Sequence, residues 1–183
     1  MAAPSGNAAV RVSGQLFHTP TASDLTNAAN QGTPIGLVDR VQFEPRFLTR
    51  GLVLEETNRV HKLLYCGQRP RLAFSLESFD VDALALLFPT VMTTGLKGPR
   101  LKAGDDPVGT AISAKKILFV PEKSSHPALL LYAALPLLEE TAEARMTAVN
   151  PLTFPAIFEA GENANGWVYQ WNSLANLVLD PSA

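Results

Sequence analysis

The apolar positions of this chain fall into runs of two periods, and the switch between them marks its organising stretch. Arg71-Leu72-Ala73-Phe74-Ser75-Leu76-Glu77 alternates strictly, with Leu72, Phe74 and Leu76 on one side and the remaining four residues on the other. Period two over this span predicts a half-buried β-strand. The period then lengthens. Asp80 is placed to cap a helix carrying Val81, Leu84, Leu87 and Phe88 at i, i+3, i+6 and i+7, and Pro89 stands where that helix must end. The pattern predicts one compact helix near 80–88 lying across the apolar face of a sheet. Each of its four apolar side chains contributes about 1.5–3 kcal/mol if fully buried, as an upper bound.

The same reading extends both ways. Apolar residues alternate over 37–48, and 52–54 and 60–66 continue as strands around the polar Glu55-Glu56-Thr57-Asn58. This predicts a long β-hairpin reaching beyond the core. Residues 90–110 read as a turn-rich connector with a small strand at Leu101. The second half repeats the grammar of the first: Ile117-Leu118-Phe119-Val120-Pro121 echoes Val41-Gln42-Phe43-Glu44-Pro45, and Leu152-Thr153-Phe154 echoes Leu72-Ala73-Phe74. Between them 128–135 is a strong strand. Residues 137–146 are helical by propensity but the acidic tip of a second hairpin by position. The expected fold is mainly β: a two-sheet β-sandwich or barrel with one flanking α-helix and a long hairpin. It forms a single domain, with an extended arm over 1–36, a body over 37–160 and a last strand or arm over 161–183. Within the first arm, Val10-Arg11-Val12 and Gln15-Leu16-Phe17 are short strand candidates and 23–29 a weak helical turn.

Composition narrows the function. With 183 residues, 15 basic against 17 acidic and a net charge of −2, the chain has no basic footprint for stable nucleic-acid or anionic-membrane binding. Cys66 is the only cysteine, which excludes an intrachain disulfide and fits a reducing, intracellular site of folding. No signal-peptide pattern opens the sequence, and no apolar run is long enough to span a bilayer as a helix.

Candidate chemistry is sparse. His18, His61 and His126 are scattered, without metal-ligand spacing, and read as surface or turn residues. Cys66 reads as a small buried hydrophobe and Lys115-Lys116 as an edge-protecting charge pair. No phosphate-binding or nucleophile-elbow motif occurs. The pairs Glu55/Glu56 and Glu139/Glu140 lack the apolar surroundings that raise a carboxylate pKa, and read as solvated tips. An enzyme is disfavoured and no cofactor is expected.

In its order of features the chain resembles the tail tube (major tail) proteins of tailed bacteriophages. The resemblance rests on Val41-Gln42-Phe43-Glu44-Pro45, the hairpin, the run from Leu72 to Asp80 and Ala83-Leu84-Ala85-Leu86-Leu87-Phe88-Pro89, with Lys116 to Pro121 and Leu152 to Ala160 similar to the family's closing part. It covers roughly residues 35–160 as a pattern of element types. It implies a helix-flanked β-sandwich, six copies to a ring, and rings stacked into a virion tube, assembled in the host cytoplasm, through which DNA leaves. The implied partners are other copies of the chain, a tape measure protein, a tail terminator and baseplate or tip proteins. DNA passes without specific binding, and no membrane is involved. Hairpins of neighbouring copies can pair edge to edge; four strands from each of six copies, at ~4.8 Å spacing and ~45° tilt, give a backbone diameter of roughly 50 Å and a bore of ~35–40 Å. A conduit must not hold its cargo, so a neutral or acidic lining is expected. The candidate lumen or tip acids are Glu55, Glu56, Glu139, Glu140 and Glu143. Two other readings stand beside this one: a tail terminator or other ring-forming tail or neck protein, and a small ligand-binding β-sandwich using Trp167, Tyr169 and Trp171.

Overall fold

The alternating runs become strands, and most of the strands close on themselves. The structure, a computed structural model, describes residues 12–54, 59–79, 92–93, 100–101, 113–137 and 154–181. Its strands are β1 (Val12–His18), β2 (Thr33–Glu44), β3 (Phe47–Leu54), β4 (Arg59–Gln68), β5 (Arg71–Phe79), the two-residue β6 (Met92–Thr93) and β7 (Arg100–Leu101), β8 (Lys115–Pro121), β9 (Ala128–Pro136), β10 (Phe154–Gly161) and β11 (Tyr169–Asn172). Six of them form a closed antiparallel barrel in the order β10-β5-β2-β1-β8-β9, with β9 returning to β10. The mainly β class therefore holds, in the form of a barrel rather than two separate sheets. Closure leaves these six strands without the long open edges of a sandwich. The helix expected over 80–88, with Val81, Leu84, Leu87 and Phe88, lies outside the described residues.

Alternation sorts side chains to the two sides of the barrel wall. Leu72, Phe74 and Leu76 point inward at 0%, 3% and 0% exposure, and the Phe74 ring stacks on Phe158 with centroids 5.6 Å apart. Leu16, Ile117, Phe119, Leu129 and Leu131 join them in the interior. A second apolar cluster forms on the outside of β1, β8 and β9 from Phe17, Leu118, Leu130 and Tyr132, covered by Leu25 and by Leu177 and Leu179 of the tail. Buried on both faces, these strands read as continuous apolar runs, which is why 128–132 shows no alternation. The burial of Leu16 and Phe17 also departs from the expected extended arm, since β1 lies between β2 and β8 in the wall.

The barrel is two three-stranded meanders, β1-β2-β5 and β8-β9-β10, joined where β1 meets β8 and β5 meets β10. Both junctions are antiparallel, so β1, β2 and β5 correspond to β8, β9 and β10 about a pseudo-two-fold axis across the barrel. The sequence echo aligns β5 with β10 in agreement with this. Its other half aligns β2 with β8, one strand out of step, because a five-residue likeness carries no information about pairing.

Registers fix the two ends. Val12 opposes Val41, Gly14 opposes Pro121 and Glu44 opposes Arg71 at one end, while Gly36 opposes Phe79 and His18 opposes Ile117 at the other. The β3–β4 hairpin leaves from the first end, between Glu44 and Arg71. The connections after Phe79 and after β9 leave from the second. β11 pairs with the first half of β9 where β10 has used the second half, and so extends the wall near the hairpin end.

Candidate interaction surface

The β3–β4 hairpin forms a two-stranded sheet of its own, with no strand pairing to the barrel. Its base is tied down. Arg69 N–H donates to the Arg46 carbonyl at 2.8 Å, Arg46 Nε lies 3.2 Å from Glu44 Oε2, and Pro70 is fully buried. Beyond the base the register slips between Leu48↔Gly67 and Thr49↔Tyr65, which leaves Cys66 as a bulge residue, and again between Leu52↔Lys62 and Val53↔Val60. Gly67, at φ +119°, supplies the conformation beside the first bulge.

Both faces of this hairpin carry exposed apolar side chains. Phe47, Leu63 and Tyr65 occupy one face at 61%, 70% and 63% exposure, with the Phe47 and Tyr65 rings 6.4 Å apart. Leu48 and Leu64 lie on the other face beside exposed Arg50 and Lys62. A two-stranded hairpin is marginal in water by itself, and an apolar patch of this kind marks an interaction site. Alternation in sequence places these residues on a strand, but only the unpaired hairpin reveals that Phe47, Leu48, Leu63, Leu64 and Tyr65 face solvent.

The sequence-selected residues fall as follows. Glu55 and Glu56 lie in 55–58, between β3 and β4, and Glu139, Glu140 and Glu143 lie in 138–153, between β9 and β10; all five are outside the described residues. The chain enters these two acidic runs from opposite ends of the barrel. Cys66 is exposed rather than buried, because the bulge removes it from the alternation; its Sγ sits 3.6 Å from the Leu64 carbonyl. Lys115-Lys116 guards no edge, since β8 is paired on both sides; Lys116 Nζ instead lies 2.6 Å from Asp180 Oδ1 and anchors the tail. His18 lies in β1 and His126 in the turn before β9, while His61 belongs to β4. Among the described residues no group of three or more His, Cys, Asp or Glu is arranged to hold a metal ion, and no buried side-chain polar atom lacks a hydrogen-bond partner.

The aromatic tail packs against the hairpin end of the barrel. Tyr169 and Trp171 meet Phe43 edge-on at 4.9 and 5.7 Å. Phe43 and Trp171, with Val12, Phe119 and His126, line a cavity of about 60 Å³, far below the ~300–1,000 Å³ of ordinary ligand sites. Trp167 donates its backbone N–H to Asn163 Oδ1 at 2.8 Å, and its side chain, like that of Trp171, is exposed. Further along, Gln170 clamps the tail: its Oε1 accepts from Val178 N–H at 2.9 Å and its Nε2 donates to the Asn176 carbonyl at 3.1 Å. The Tyr132 hydroxyl lies 2.7 Å from the Val178 carbonyl. Burial, and secondarily the charge of Asp180, raise its pKa above the ordinary 10.0.

No protein-family profile matches the sequence, and no characterised protein resembles it closely enough to indicate kinship.

Proposed function

We propose that this chain is a self-assembling structural subunit, built to form rings that stack into a tube of the tailed-phage kind. The observation that carries the reading is the β3–β4 hairpin, which exposes apolar side chains on both faces and two unpaired strand edges beyond a tied base. Association covers both. Edge-to-edge pairing of neighbouring hairpins satisfies the open backbone groups, and burial of Phe47, Leu63 and Tyr65 supplies the driving force. The weakly acidic balance suits a conduit that lets DNA slide without holding it.

Light scattering and negative-stain microscopy across concentration test the proposal. Hexamers or hollow filaments are expected. Discrete rings that never polymerise would instead indicate a terminator-like cap, and a strict monomer at high concentration would contradict self-assembly.

A further inference from the structure

Outside the barrel, a groove of about 360 Å³ runs across β1, between β2 and β5 on one side and β8 on the other. Its floor is the half-exposed Leu37 with Val120 and Pro121, and its flanks are Glu77 and Glu122. Both carboxylates are exposed, and neither has an ion-pair partner among the described residues. The Leu48 and Leu64 face of the hairpin has the opposite character. Its apolar pair is flanked by Arg50 and Lys62, also exposed and without an ion-pair partner among the described residues.

We propose that the hairpin of one copy docks by this face into the outer groove of a second copy, with Arg50 and Lys62 meeting Glu77 and Glu122 over a leucine-filled floor. The inference rests on the self-assembly reading above and names the surface that receives the hairpin. Edge pairing and face docking use different groups, the backbone for one and side chains for the other, so both can hold at once.

Glu77 of β5 and Glu122, the residue after β8, both line this groove. Arg50 stands opposite Leu64, and Lys62 is two residues from Leu64 along the same face, so the cations are diagonal neighbours ~7–8 Å apart at the backbone. Their long, flexible stems can carry the two charges apart and add apolar contact of their own. Within one copy the hairpin leaves this groove uncovered: no ladder links the two, and Leu37, Leu48 and Leu64 all stay exposed. A second copy is the occupant that the charge complementarity selects.

The test is a charge swap read by sedimentation velocity over a concentration series at low and moderate salt, with thermal melts as the folding control. The pairs Glu77→Lys/Glu122→Lys and Arg50→Glu/Lys62→Glu should each melt like the parent but associate roughly tenfold more weakly or worse. The quadruple substitution, which restores opposite charges, should recover association. Parental association should weaken as salt rises. If the parent assembles and the folded double variants assemble equally well, or the quadruple stays as dissociated as the doubles, the docking is wrong while self-assembly stands. If the parent never assembles, both are wrong.

Discussion

At the scale of single residues, backbone geometry and one buried hydroxyl set the sharpest constraints. Gly36, at φ +153°, opposes Phe79 where β2 meets β5, and a Cβ there would collide with the Ser78 carbonyl oxygen. Gly36→Ala should therefore destabilise by roughly 1–3 kcal/mol, read as a lower denaturant midpoint at unchanged slope. Tyr132 reports on the tail. Its raised pKa means that the fold favours the neutral phenol, so its contribution is complete below the ordinary value of 10.0 and is lost as pH climbs through the higher folded value. Tyr132→Phe should cost about 1 kcal/mol at neutral pH, through the lost bond to the Val178 carbonyl. It should also flatten the alkaline decline in stability relative to the parent. An unchanged alkaline slope would show that the tail does not enclose this hydroxyl.

At the scale of elements, the hairpin and the barrel should behave as separable parts. Leu63 and Tyr65 contact solvent rather than the core, so Leu63→Glu with Tyr65→Ser should leave the melting of the barrel within about 0.5 kcal/mol of the parent. The same variant should abolish higher oligomers on a sizing column; retained assembly would remove this face from the interface. These elements also mark how far the sequence could be read. Leu72, Phe74 and Leu76 declared a strand and its inward face because alternation is a local property. The hairpin was legible for the same reason. Cys66 was misread because a bulge breaks period two without any compositional sign. Lys115-Lys116 was misread because an edge is defined by the neighbour a strand lacks, and pairing order is non-local. β1 was taken for part of an arm because Ser, Gly and Gln dilute the signal of Leu16 and Phe17, whose burial comes from strands and a tail far along the chain.

At the scale of the whole molecule, the barrel carries different equipment at its two ends. One end projects the hairpin beside the aromatic packing of Phe43, Tyr169 and Trp171; the other sends out the connections that follow Phe79 and β9. The pseudo-two-fold gives these connections a common logic, because 45–70 and 138–153 each join the second strand of a meander to its third. Under the proposed assembly, distinct ends and a projecting hairpin would give stacking a fixed polarity, since heterologous contacts close into rings or extend into filaments. The choice between a barrel and a sandwich was not legible in the sequence, since closure depends on β5 meeting β10 across the 74 residues 80–153. The most direct test is negative-stain microscopy of the purified chain at increasing concentration, beside the Leu63→Glu/Tyr65→Ser variant. The account predicts hollow rings or tubes for the parent and single particles for the variant. A parent that remains a folded monomer at every concentration would contradict it.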